Sequence, residues 1–203
     1  MAKIHTAEAL RALYPQPGER SQRKELSYLD THCRRFVELS PFVVIGSSGA
    51  DGPGDTSPRG GPPGFVQCFD ETTLLLPDWP GNHRLDTLHN LIENPRVGLL
   101  FLIPGVRECL RVNGEAEIWD DEDLRGRFEV DGKRPRTVVR ITVQQAYLHC
   151  AKAILRSGLW DPSTYVDRSI LPTMGQMLKD QLGTSGAPET EEAMLARYRA
   201  ALY

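Results

Sequence analysis

Apolar positions recur along this chain with two periods, and the switches between them mark out its elements. From Thr6, the residues Ala7, Leu10 and Leu13 fall at helical spacing until Pro15 stops the run, and a second helix is predicted over residues 28–39. A β-rich run follows at 41–46. Asp51-Gly52 is a hairpin turn signal, with 57–60 expected as the returning strand. Residues 65–69 and 73–77 predict a second hairpin around Asp70-Glu71. Leu85, Leu88, Leu91 and Ile92 then share one face of a helix over 84–93, which Asn94-Pro95 ends because proline cannot continue the hydrogen-bond ladder.

Residues 96–103 read as a strand apolar on both faces, closed by Pro104-Gly105. In 109–119 the pattern alternates. Leu110, Val112 and Gly114 point one way and Cys109, Arg111 and Asn113 the other, and a face of thiol, cation and amide suits a polar ligand or a subunit interface. A short acidic-capped helix is predicted over 121–130, then a basic loop, then a strand over 138–150 in which Val139, Ile141 and Val143 alternate. The remainder is helical: one stretch follows Cys150, another ends at Gly183, and a closing helix starts behind Thr190. Six or seven short strands, with one helix crossing between two of them, favour a small barrel over a parallel sheet.

Composition narrows the function classes. A chain of 203 residues predicts one domain spanning 1–203, with the barrel core at about 41–150 and helices at either end. A net charge of −3 offers no general attraction to nucleic acid or to an anionic membrane, so any anion site must be local. The longest apolar run, 97–103, is far short of the roughly 20 residues that span a bilayer. Cys33, Cys68, Cys109 and Cys150 stand singly, without metal-ligand spacing, which fits reduced thiols and a cytoplasmic location.

The candidate chemistry lies between the second hairpin and the crossing helix. Asn82 is placed to cap that helix and Arg84 to sit in its first turn, so free backbone N–H groups and a guanidinium converge where a phosphate is stabilised. Arg59 and Arg111 are further cations for the same site. The competing reading is that Arg84 and Asp86 form a solvated helix face, and that the three arginines make interface ion pairs in a dimerisation module. Other motifs carry less. His83 and His89 do not make an i, i+4 pair, the adjacent His149 and Cys150 point to opposite faces of a strand, and the loop from Gly46 to Gly54 lacks the Gly-Lys-Ser/Thr ending of a nucleotide-binding loop. Trp79, Trp119 and Trp160 read as core or interface residues.

The block VVIGSSGADGPGDTSPRG, followed by LLLPDWPGNHRLDTLHNLIENPRVGLLFLIPGVRECLRVNGEAEI, resembles the FMN-binding split β-barrel of the pyridoxamine 5′-phosphate oxidase-like flavoproteins. CAKAILRSGLWDP and LPTMGQML resemble the continuation found in a bacterial subgroup. The resemblance implies a mainly antiparallel split barrel with flanking helices, forming a homodimer with FMN at the subunit interface. It places Arg59 near the flavin or its phosphate, Pro77 and Asp78 at the strand end that follows the isoalloxazine, and Asn82, Arg84, Thr87 and Leu88 at the phosphate-binding turn and helix. Cys109 falls where the oxidases use a glutamine, with Arg111 two residues on. Lys152, Arg156 and Trp160 are assigned to reach the site from the second subunit. The tail ARYRAALY offers Arg197 and Arg199 without the histidine of the oxidases' substrate-gripping arginine-x-histidine pair, so vitamin B6 is not implied as substrate. The expected activity is an FMN-dependent oxidoreductase acting on a small molecule, with NAD(P)H or another small organic donor. No catalytic residue and no metal site is assigned. The alternative is a non-catalytic protein that holds flavin, haem or a deazaflavin for storage, sensing or delivery.

Overall fold

Seven strands form one antiparallel sheet in the computed structural model, which describes residues 3–202. They are β1 (Phe42–Ser48), β2 (Gly54–Gly60), β3 (Gln67–Cys68), β4 (Thr73–Asp78), β5 (Arg96–Leu102), β6 (Cys109–Trp119) and β7 (Thr137–His149), and the order across the sheet is β2-β1-β5-β6-β7-β4-β3. The sheet curls so far that its two ends meet. Arg59 on β2 and Asp78 on β4, which share no ladder, come within ion-pair distance, and the whole is a split β-barrel with flanking helices.

Alternation explains the core. Val43 and Ile45, Val97, Leu99 and Phe101, Leu110 and Val112, Val139 and Ile141 all point inward and are almost fully buried. The helix α3 (Thr31–Leu39) closes one end of this core with Cys33, Phe36 and Val37. β6 and β7 carry the longest pairing, interrupted by one bulge: Asn113 opposes Gln145 while Gly114 opposes Val143, leaving Gln144 unmatched. The inward face of β7 therefore changes parity, from Val143 to Ala146. Beyond Thr142 the second edge of β7 has no β4 left to pair with, and Leu26 covers it through a two-way backbone bridge to Ala146.

Several boundaries differ from expectation. The helix predicted over 28–39 begins only at Thr31, because Asp30 caps it, its carboxylate accepting from the Cys33 N–H at 2.8 Å. A short helix, α2 (Glu19–Arg23), lies between it and α1 (Ala7–Arg11). β3 keeps two of five expected residues. The helix expected over 121–130 is α5 (Glu122–Gly126), which ends before Phe128 turns into the small cluster with Leu75 and Val138. The carboxy-terminal segment carries α6 (Lys152–Ser157), α7 (Met174–Leu182) and α8 (Glu191–Ala200), which bury Ile154 and Met194 alone among their residues. Among the described residues no helix is long and apolar enough to cross a membrane.

Candidate functional site

The crossing helix α4 (Asp86–Glu93) is held against the first hairpin by side-chain hydrogen bonds along its length. Thr87 Oγ1 donates to Asp55 at 2.9 Å, Asn90 Nδ2 to Ser47 at 3.1 Å, and the Ala50 N–H to Glu93 at 3.4 Å. Just past the helix, Asn94 Nδ2 donates to Ser48 at 3.3 Å. These bonds set the first turn of α4 beside β2.

That first turn is built differently from the sequence expectation. Asn82 does not cap the helix and Arg84 does not lie in it. The Asn82 side chain instead accepts from the Arg84 N–H at 3.1 Å, closing a local turn, and the helix starts two residues later behind Leu85, whose φ of 58° is left-handed. His83, at the same φ, makes this a turn with two non-glycine residues in the left-handed region. The start of α4 consequently has no side-chain cap, so its N–H groups are left for a ligand.

The turn, the start of α4, the end of β2 and the junction of β4 with β7 surround a cleft of about 790 Å³, a size in the range of ordinary small-molecule sites. Six sequence candidates meet here: Arg59, Asp78, Asn82, Arg84, Thr87 and Leu88. Pro77, next along β4, lines a smaller cavity of about 190 Å³ on the far side of Trp79, which borders both. Two arginines of the cleft have acidic partners. Arg84 Nε donates to Asp86 at 2.7 Å in solvent, and Arg59 Nη2 lies 3.8 Å from Asp78 Oδ1 with both side chains largely buried. Burial raises the Asp78 carboxyl above its ordinary range, and Arg59 opposes that shift. Thr87 lines the cleft, but its hydroxyl is committed to Asp55 and so holds the helix in place.

The remaining candidates lie elsewhere in the same chain. Cys109 and Arg111 pair with His149 and Tyr147, at the opposite end of β7 from Thr137. The expected thiol face is absent: Cys109 is 7% exposed, and burial pushes its pKa up. Arg111 does face outward, its guanidinium 5.7 Å from the Tyr147 ring centre, and Lys24 Nζ lies 4.9 Å from the same ring. Lys152 and Arg156 sit on α6, just past that end of β7, and Trp160 donates its indole N–H to the Val106 carbonyl at 2.8 Å in the turn between β5 and β6.

The cleft also holds Trp79, expected as a core or interface residue, Asp86, expected at most on a solvated helix face, and Arg136 and Thr137, which no motif singled out. Thr137 stands out because its hydroxyl is buried without a hydrogen-bond partner. The basic loop before β7 was a weak signal for Arg136 and Thr137. Only the pairing of Asp78 with Thr137, across 58 intervening residues, brings them to the site.

A seven-stranded antiparallel split barrel with a cleft at its seam defines a structural class, and sequence comparison places the chain within it. The profile described as pyridoxamine 5′-phosphate oxidase matches residues 29–150, and the chain belongs to that family. No curated protein matches it in sequence. Among solved structures, a variant of HupZ from Group A Streptococcus is similar at a TM-score of 0.50 and 15% identity, over 60% of this chain and 99% of that one. A Clostridium acetobutylicum protein related to general stress protein 26 gives 0.45 and 18%, over 58% and 85%. General stress protein 26 from Bacillus anthracis gives 0.43 and 15%, over 58% and 94%.

Proposed function

We propose that the protein is an FMN-dependent oxidoreductase working on a small molecule as a homodimer. The observation that carries this reading is the uncapped start of α4 opening, with Arg59 and Arg84, into one cleft. Free N–H groups at a helix start and two guanidiniums are what a phosphate monoester needs, each charge-assisted hydrogen bond contributing about 1.5–3 kcal/mol. The unpartnered Thr137 hydroxyl marks a second polar contact in the same cleft, so the residues present fit a ligand with an anionic tail and a polar ring.

Bound FMN supplies the hydride or electron transfer, with NAD(P)H or another small organic molecule as donor. The chain's own residues bind and orient. Arg84 turns from Asp86 to the phosphate, Arg59 steadies the cofactor from β2, and Trp79 walls the cleft off from the smaller cavity. Pairing of two chains is supported by where the other candidates lie: Arg111 sits beside the far end of β7 and Lys152, Arg156 and Trp160 follow that end, so a second copy is needed to bring them to a cleft.

FMN affinity of the Arg84→Ala variant tests the assignment. A loss of roughly tenfold or more is expected, and unchanged affinity removes the phosphate contact. Turnover is tested separately: the yellow protein should bleach on adding NAD(P)H without air and recolour when air returns. Bound flavin that no donor bleaches would make the protein a flavin holder and not an enzyme.

A further inference from the structure

Asp78 ends β4 and Thr137 begins β7, directly opposite one another, and both line the cleft. Their environments complement each other. The Thr137 hydroxyl is buried with no partner, although it can both donate and accept. The Asp78 carboxylate, with its side chain 20% exposed, has Arg59 as the cation paired with it, at 3.8 Å. Of the other charged groups around it, Asp55 on β2 holds Thr87, and Arg84 and Asp86 hold each other. His83 in the left-handed turn and Arg136 also line the cleft, the Arg136 backbone N–H donating to the Asp78 carbonyl at 3.1 Å.

An anionic ligand in this cleft competes with Asp78 for Arg59. Once Arg59 turns to the anion, a carboxylate largely withdrawn from solvent is left without its cation, and the low-energy outcome is protonation. A protonated Asp78 is a hydrogen-bond donor with a carbonyl beside it, and the Thr137 hydroxyl completes the set. We infer that Asp78 and Thr137 form a second, uncharged hydrogen-bonding subsite of the cleft, which takes a ligand edge bearing both carbonyl and N–H groups and gains a proton on Asp78 as the ligand's anionic group draws Arg59 away. Resting on the flavin reading, that edge is the imide of the ring, and the anion is the phosphate.

No bond forms or breaks beyond the proton taken from solvent. The linkage has a definite sign: burial already raises the Asp78 carboxyl in the empty protein, loss of Arg59 to the bound anion raises it further, and affinity is greatest at low pH and falls as pH rises through the bound-state value. For one full proton the fall approaches about tenfold per pH unit.

The test is calorimetric titration of FMN into the intact protein at pH 6 in two buffers of different ionisation enthalpy, for wild type and Asp78→Asn. The cofactor's own phosphate titrates in both, so their difference isolates Asp78. Wild type should take up more protons per FMN than Asp78→Asn, and its affinity should fall more steeply as pH rises. Thr137→Val supplies a second arm: removal of the orphan hydroxyl should raise the melting temperature of the empty protein while weakening FMN binding several-fold. Equal proton uptake in wild type and Asp78→Asn, or undiminished FMN affinity in Thr137→Val, overturns the inference. Absence of FMN binding in every form sinks the flavin reading instead. The proton coupling is then decided with sulfate, which does not titrate here. Sulfate should raise the wild-type melting temperature more at pH 6 than at pH 8, by a wider margin than in Asp78→Asn, since the other groups of the cleft are common to both, and equal margins in the two proteins overturn the coupling.

Discussion

At Asp30 a single carboxylate decides where a helix begins. Its hydrogen bond from the Cys33 N–H holds its pKa below the usual value, so its stabilising contribution is complete above the unfolded pKa near 4 and is lost as pH falls through the lower folded value. Asp30→Ala should cost about 1 kcal/mol in urea unfolding at pH 7, with the two proteins converging once the pH has fallen through the lowered folded value. The thiols divide just as sharply. Burial pushes Cys33 up to about 12 and Cys68 up to about 11, Cys109 is buried as well, and Cys150 is exposed. A thiol reagent at pH 7.5 should label Cys150 quickly and the other three only on unfolding; rapid labelling of more than one would contradict these burials. Arg59 and Arg84 were legible as candidates for a site from their type, and Thr87 from the family resemblance. Their present partners, Asp78, Asp86 and Asp55, were not, because each pairing depends on a turn or a strand crossing that periodicity does not encode.

Between elements, the tightest constraint is the bulge joining β6 and β7. A Cβ built on Gly114 would fall inside the contact distance of the Thr142 carbonyl oxygen, a backbone atom of the neighbouring strand that cannot step aside. Gly114→Ala should therefore destabilise by more than about 2 kcal/mol, read from the urea midpoint, whereas Gly54→Ala, with open space around it, should cost far less. The alternation of Leu110, Val112 and Gly114 predicted which face of β6 turns inward. It carried no sign that Gln144 would be unmatched and would shift the parity of β7. α4 shows the same division: its apolar face and its proline stop were plain, while its first residue was misjudged. The Asn82 side chain bonds only two residues ahead, closing a turn before the helix can start.

Taken as one body, the protein leaves much apolar surface outside its barrel. Tyr165, Val166, Ile170, Leu171 and Leu182 are all more than half exposed, in a carboxy-terminal segment that lies beyond the matched family region. A chain with that much uncovered apolar surface is expected to find a partner, and the split of the candidate cations between the two ends of β7 makes a second copy the natural one. Sedimentation at micromolar concentration should give twice the chain mass of 22.7 kDa. A monomer that still binds FMN with full affinity would leave Arg111, Lys152, Arg156 and Trp160 without a place at the site.

Local chemistry in the sequence determined the strands, the crossing helix, the turns and the residue types suited to an anion, since hydrophobic period, proline, glycine and capping side chains act within a few residues of themselves. Tertiary structure alone decided that Asp78 meets Thr137 and Arg59, that Cys109 is buried, and that six of the twelve candidates share a cleft. The physical reason is the closure of the barrel. Contacts at the seam join segments far apart in the chain, and their selection comes from burying a common core, a property of the whole sheet and of no single stretch within it.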